Sequence, residues 1–262
     1  MSKGVEIPLR RFKTLLVVDL EATCWAEGRG PREDMETIEF GAVLVRMSDL
    51  QPIDERSWFI KAKLHPVLSE FCTQLTSITQ DQVGAGLPFD RLCDLVAEWL
   101  EPHRERLAWG SWGNYDRHQL QKDATRLDLQ SPLASYPHVN LKDSFTRRHH
   151  ISRTKRPGMQ QALQMCGLSI EGAHHRGIDD ARNIARLLPW IVDPTKRIRY
   201  DESQPIFSLA IRAFGSEKAA KTWLRTPARV FGGKRPCDAM KSPAGDREVR
   251  TLLERLAEVG DE

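Results

Sequence analysis

A chain of 262 residues with a formal net charge of +3 has room for one well-buried domain and a small second one, since single cores stop growing near about 250 residues. A pI near 8.6 permits contact with a polyanion but does not require one. Five cysteines, widely spaced and never in a C-x-x-C pair, argue against a disulfide framework or a cysteine zinc site. The opening residues lack an apolar signal-peptide core, and no apolar run reaches the roughly 20 residues of a membrane span. A soluble, cytoplasmic protein without a membrane partner is the expectation.

Thr14 to Leu20 (TLLVVDL) is apolar on both faces and rich in β-branched residues, as suits a central strand covered on both sides. Ile38 to Val45 and Ile53 to Ile60 follow with strand character, and the short intervening segments predict an antiparallel meander. The polar stretch Cys24 to Glu36 between the first two strands reads as an exposed loop. Pro66 to Leu75, Thr79 to Val83 and Pro88 to Leu100 carry helical patterning, the last with Phe89, Leu92, Val96 and Trp99 on one face. Leu107 to Trp112 is a further strand that leads into a helix over Asn114 to Leu127. After Val139 to Leu141, helices are predicted around Lys142 to His149, Pro157 to Cys166 and Asp179 to Trp190. A meander followed by alternating strands and helices predicts an α/β fold, a mixed sheet flanked by helices.

Asp193 to Pro205, with two prolines and few large apolar residues, is the expected linker. Beyond it, Ile206 to Phe214, Glu217 to Leu224 and Arg247 to Val259 have helical periodicity. The expected domains are therefore 1–193 and 205–262, the second small and all-helical.

The strand period of two puts Asp19 and Glu21 on one face at the end of an apolar run. In the helix after the fourth strand, Asp116 shares a stripe with Leu120, Ala124 and Leu127, so this acid sits where the apolar face meets the sheet. A role at the helix N-terminus, beside a cap at Asn114, is the alternative. The segment HHRGIDDARNIARLL (174–188) separates two adjacent acids. Asp180 shares a face with Ile184, Leu187 and Leu188, whereas Asp179 aligns with Asn183 and Arg186 and reads as a first-turn charge favoured by the macrodipole and by Arg186.

Four converging carboxylates repel one another and suffer desolvation unless a cation sits among them. Hard oxygen donors without cysteine favour two divalent ions, Mg²⁺ or Mn²⁺, over zinc. A pair about 3.5–4 Å apart activates a water and neutralises a leaving 3′ oxygen, the geometry of phosphodiester hydrolysis. That water needs a base, and His175, just ahead of the helix that carries Asp180, is the candidate, with His174 as its control.

The ordered segments VVDLEAT, GNYDRHQL and HHRGIDDARNIARLL resemble the DEDDh branch of the DnaQ-like 3′-to-5′ exonucleases, which have the RNase H-like fold. Within that branch the likeness is to the Eri-type RNA exonucleases, supported by DLEATC, LSEFCTQLTSITQDQV and Val139 to Lys142. It extends over roughly Lys13 to Ile191. The resemblance implies Asp19 and Glu21 in the first exonuclease motif, Asp116 in the second, and His175 with Asp180 in the third. It further implies that main-chain groups near Ala22 and Thr23 receive the terminal nucleotide and that Tyr115 packs against a sugar or base. The expected reaction is two-metal hydrolysis of a nucleic acid from a single-stranded 3′ end, RNA preferred, releasing nucleoside 5′-monophosphates.

Two features depart from a minimal domain of this kind. The loop Ala26 to Glu33 is longer and more basic, and no nucleic-acid-binding module is recognisable ahead of the first strand, so stem-loop or duplex targeting through such a module is not expected. The run Lys142 to Arg156 gathers six Lys or Arg against one acid and offers either phosphate contacts or a solvated surface.

Residues 214–217 (FGSE), 223–227 (WLRTP) and 232–240 (GGKRPCDAM), with a last helix carrying Val249, Leu252, Leu253 and Leu256, resemble the toxin-binding domain of Xre/MbcA/ParS antitoxins over about Pro205 to Glu262. This implies a homodimer or capture of an RES-domain toxin, with a helical brace as the plain alternative. Two other readings of the whole chain stay open. One is an exonuclease of single-stranded DNA or short oligonucleotides, because motifs do not reveal a 2′-hydroxyl contact. The other is a toxin–antitoxin adaptor whose nuclease fold only binds nucleic acid, against which the intact five-residue set argues.

Overall fold

β1 (Thr14–Ala22) is buried along nearly its whole length and occupies the centre of a five-stranded sheet, as its unbroken apolar run requires. The structure, a computed structural model, describes residues 9–26, 30–149, 151, 156–196, 198, 206–240 and 242–259. The chain divides into two units, residues 1–145 with 157–197 and residues 146–156 with 198–262. The expected linker lies mostly outside the described residues, as do 27–29 of the loop after β1 and 150 and 152–155 of the basic run.

In the first unit, β1 pairs antiparallel with β2 (Thr37–Arg46), and β2 pairs antiparallel with β3 (Gln51–Phe59), which is the expected meander. A register shift between Glu21 and Ala22 bends the β1–β2 ladder at the end of the apolar run. Next come α1 (Glu70–Thr76), α2 (Gln80–Gly84) and α3 (Phe89–Leu100). α1 starts at Glu70 rather than Pro66. Ser69 caps it by accepting from the Cys72 N–H at 3.0 Å, and the Gln80 side chain ties down the segment before it through Pro66 O and Leu68 N–H, both at 2.8 Å. Thr79 and Gln82 form a capping box on α2.

β4 (Leu107–Ser111) returns parallel to β1 and leads into α4 (Tyr115–Arg126), and β5 (His138–Asn140) pairs parallel with β4, giving the strand order β3-β2-β1-β4-β5. One face of the sheet is closed by α3 and α4, where Leu16, Val18 and Phe40 meet Leu92, Val96 and Leu120. α5 (Leu141–Arg148), α6 (Met159–Met165), α7 (Gly177–Arg186) and α8 (Leu188–Val192) complete the run. α7 packs on β1 and β2. The single helix expected over Asp179 to Trp190 is two, because Pro189 has no N–H to continue the ladder of α7.

In the second unit, α9 (Ile206–Phe214), α10 (Glu217–Arg225), α11 (Pro236–Ala239) and α12 (Pro243–Val259) enclose a core of their own that includes Leu209, Ala220, Leu224, Phe231, Val249 and Leu253. Gly215, at φ +74°, makes the turn out of α9, and Ser216 caps α10 by accepting from the Ala219 N–H at 3.2 Å. Among the described residues, no helix is long and apolar enough to cross a membrane.

Candidate active site

Across the β1–β2 ladder, Asp19 stands opposite Gly41 and Glu21 opposite Glu39, so the period of two gathers all four on one face. Gly41 leaves space for a helix. A Cβ on it would lie 2.0 Å from the Gly177 carbonyl carbon and 2.1 Å from the Ile178 nitrogen, while a Cβ on Gly177 would lie 2.9 Å from the Asp19 carbonyl oxygen. The N-terminus of α7 therefore rests directly on the β1–β2 main chain. Glu39, fully buried, fastens it there. One oxygen of Glu39 accepts from the Gly177 N–H and the Arg176 Nε, each at 3.1 Å, and the other accepts from Ser57 Oγ at 2.9 Å. A carboxylate against a helix N-terminus is also favoured by the macrodipole.

One turn into α7, Asp180 comes down beside Asp19 and Glu21, and one carboxylate oxygen from each lies within 4.8 Å of the other two. Asp116 arrives from α4, directly after β4. It is buried, and its Oδ1 accepts the Leu20 N–H at 3.1 Å. Asn114 does not cap α4, since its Oδ1 accepts instead from Asn140 Nδ2 at 3.1 Å. Asp116 is therefore held against β1 itself.

Burial raises the pKa of all four acids. Asp19 lies well above the ordinary carboxylate range through burial and then through the charges of Asp116, Glu21, Asp180 and Glu39. Glu21 is pushed up to about 8 by burial, then by Asp180 and Glu39. Asp116 rises to about 6 by burial, against the stabilising Leu20 N–H. Asp180 is raised by burial and eased by its hydrogen bond with His174. Crowded, underdonated carboxylates of this kind are the donor set that a hard divalent cation neutralises.

The turn before α7 carries both histidines. His175 has a left-handed backbone with φ +63°, a conformation that costs a non-glycine residue about 1–3 kcal/mol and collects at functional sites. Its N–H donates to Asp180 Oδ2 at 3.0 Å, and its ring stacks on His174 with 4.0 Å between centroids. Burial, and next the His174 ring, lower the His175 pKa, which favours the neutral imidazole that can take a proton. Yet it is His174 whose ring touches the carboxylate, with Nδ1 3.0 Å from Asp180 Oδ2. Spacing could not reveal that contact, because the left-handed turn stacks two rings that an extended backbone would send to opposite sides.

Asp179 keeps to the polar side as expected, but with another partner. It accepts from Arg182 at 2.8 Å and from the Ala173 N–H at 2.9 Å, while Arg186 pairs with Glu171 at 2.8 Å. Asn183, aligned with that polar face in the sequence, is fully buried. Its side chain exchanges hydrogen bonds with the Glu171 main chain at 2.8 and 3.1 Å, because the loop after α6 folds over it. Of the substrate-side residues, Tyr115 is 48% exposed at the start of α4, whereas Thr23 is buried with its N–H on Glu36 O at 2.9 Å and its hydroxyl accepting from the Glu36 N–H at 3.0 Å. The Ala22 carbonyl faces Cys72 Sγ at 3.7 Å.

Two further buried acids are not singled out by the sequence pattern. Glu39 is signalled there only as a lone acid inside an apolar strand. Asp123, two turns beyond Asp116 in α4, takes four donors: the Thr37 N–H and hydroxyl at 3.1 and 2.6 Å, Gln119 Nε2 at 2.9 Å and Arg126 at 3.0 Å.

The exonuclease family model matches residues 16–188, a stretch that contains every one of these acids. The chain belongs to the exonuclease family. Human ERI1 exoribonuclease 2 is 32% identical over 199 residues, covering 68% of this chain and 28% of that protein. Human 3′-5′ exoribonuclease 1 is 28% identical, covering 73% of this chain and 56% of that protein, so the chain spans 28% and 56% of the length of these two relatives. Among solved structures, the nuclease domain of 3′hExo, a DEDDh family member bound to rAMP, superposes with a TM-score of 0.65 at 26% identity, covering 72% of this chain and 96% of that one. The mixed sheet and its flanking helices are thus the RNase H-like arrangement of the DEDDh exonucleases. A second model, the antitoxin Xre/MbcA/ParS C-terminal toxin-binding domain, matches residues 209–258.

Proposed function

We propose that the protein is a metal-dependent 3′-to-5′ exonuclease that acts on RNA and releases nucleoside 5′-monophosphates. The observation that carries this reading is the convergence of Asp19, Glu21 and Asp180 within 4.8 Å, with Asp116 buried beside them on the Leu20 N–H. Asp19, Glu21, Asp116 and Asp180 would hold two divalent ions. When bound, a pair of Mg²⁺ or Mn²⁺ ions supplies the charge that activates water and neutralises the leaving 3′ oxygen. His175, as the neutral imidazole, takes the proton of the attacking water. The exposed ring of Tyr115 receives the terminal nucleotide, together with main-chain groups near Ala22 and Thr23 other than the Thr23 N–H, which Glu36 already holds. RNA is favoured over DNA by the two relatives named above, both exoribonucleases by name.

End-labelled RNA and DNA of matched sequence, incubated with Mg²⁺ or Mn²⁺, provide the test. Shortening from the 3′ end, faster on RNA and absent in excess EDTA, is expected. Full activity in EDTA would sink the reading, and a DNA preference would overturn its substrate.

Residues 1–193 are proposed as the nuclease and 205–262 as an association module that binds a second copy or an RES-type toxin, on the strength of the separate core of α9 to α12 and the toxin-binding model that matches it. A domain of about 58 residues is near the lower limit of independent stability, so a partner that covers apolar surface is physically useful. A chain truncated after Asp193 should remain an active monomer while the full chain associates, as read by light scattering beside the nuclease assay. A full-length monomer that binds no RES-type toxin would count against the module.

A further inference from the structure

We propose that His174, His175 and Asp180 form a second metal site, distinct in chemistry from the all-carboxylate set, which takes Zn²⁺ and thereby switches the nuclease off. One ligand atom from each of the three lies within 4.8 Å of the other two. His174 Nδ1 is already 3.0 Å from Asp180 Oδ2, and the two rings stack at 4.0 Å. The ring nitrogens of His175 make no hydrogen bond among the described residues, which leaves lone pairs to offer. Its left-handed turn, φ +63°, is what brings two consecutive imidazoles to one carboxylate.

The donor types decide which ion enters. Two imidazole nitrogens and one carboxylate oxygen, with a fourth position open, are a zinc-type set, whereas Mg²⁺ prefers oxygen throughout. Asp19 and Glu21 supply oxygen only, so the two sets differ in preference while sharing Asp180. The turn is reached from the His174 side, whose side chain is 37% exposed above the buried Asp180. Binding there takes the one basic lone pair of the neutral His175 ring, the other nitrogen already carrying its hydrogen, so the ring no longer accepts a proton from water. That consequence rests on His175 serving as the base. The existence of the site does not. His174 thus acquires a role that the nuclease reaction does not assign to it, as the residue that converts a base next to an acid into a chelate.

The full chain is titrated with Co²⁺, a coloured stand-in for Zn²⁺, and visible absorption of a four-coordinate ion is followed in the wild type, His174→Ala, His175→Ala and Asp19→Asn. The signal is expected in the wild type and in Asp19→Asn, and should disappear in both histidine variants. Zinc affinity measured directly by calorimetry should be at least about 10- to 100-fold weaker in His174→Ala than in the wild type, the loss that even outer partners of a metal ion cause. In the Mg²⁺-driven assay, His174→Ala should lose much less activity than His175→Ala and need at least about tenfold more zinc for half-inhibition. His175→Ala should lower the uninhibited rate by about 10²- to 10⁴-fold. Equal cobalt spectra and equal zinc sensitivity in wild type and His174→Ala would overturn the site. A His174-dependent cobalt signal in a chain without Mg²⁺-driven hydrolysis would instead uphold the site and overturn the exonuclease reading.

Discussion

Two kinds of buried carboxylate stand in one domain, and the donors around them tell them apart. Glu39 and Asp123 are nearly saturated, the first by Gly177, Arg176 and Ser57, the second by Thr37, Gln119 and Arg126. Asp19 and Glu21 accept no hydrogen bond among the described residues, although Glu21 is buried in the sheet and Asp19 half-buried beside it. A buried charge without partners costs several kcal/mol, and with them it becomes a fastening. The saturated acids hold α7 and α4 in place. The bare ones are held in place, and the unfavourable electrostatics stored among them is what a cation would relieve.

The largest effect expected from breaking this division is at Asp180. Asp180→Asn should lower exonuclease activity by about 10³-fold or more, since metal-borne charge stabilisation is worth several kcal/mol. Asp179→Asn should keep most of it, because Asp179 serves only the turn through Arg182 and Ala173. Rates measured side by side under identical metal decide it, and equal losses would show that both acids face the site.

A smaller but substantial effect belongs to a saturated acid. Glu39→Ala leaves Arg176 and the first N–H of α7 without their acceptor, at a cost of about 3–5 kcal/mol in denaturant unfolding. A loss below about 1 kcal/mol would mean that the fastening carries little of the stability. The least effect is expected at Arg182, which joins Glu55 across to β3 with both side chains nearly half exposed. Arg182→Ala should cost under about 1 kcal/mol, less in high salt. The hydrogen bond from Arg182 holds Glu55 below its ordinary pKa, so the contribution is present above about pH 4.3 and is lost as pH falls from there through the folded value. Urea midpoints of the two proteins should therefore converge in acid, and a gap that widens would refute the assignment.

Much of the site is legible in the sequence because its residues obey local periods. A strand period sets Asp19 beside Glu21, and a helix period sets Asp116 on the Leu120 stripe and Asp180 with Ile184. What stays hidden depends on partners far along the chain. Asn183 reads as polar surface until the main chain of Glu171 folds over it. Asp179 finds Arg182 rather than Arg186 because Glu171 takes the latter. The start of α1 departs from its pattern for the same reason, since Gln80 pins Pro66 and Leu68 from the next helix. The role of His174 turns on a single left-handed residue, which sequence spacing does not encode.

The seating of α7 on Gly41 gives the site an unusual kind of tolerance. The gap between β1 and the helix is a hard stop, backbone against backbone, with no side chain between them to shrink, swell or change rotamer. Drift in the surrounding core can alter stability, yet the approach of α7 to the main chain that carries Asp19 stays set by backbone contact so long as Gly41 and Gly177 lack a Cβ. Since a misplacement of about 1 Å can cost about 10²-fold in rate, the chain has put its finest dimension in the charge of its two smallest residues.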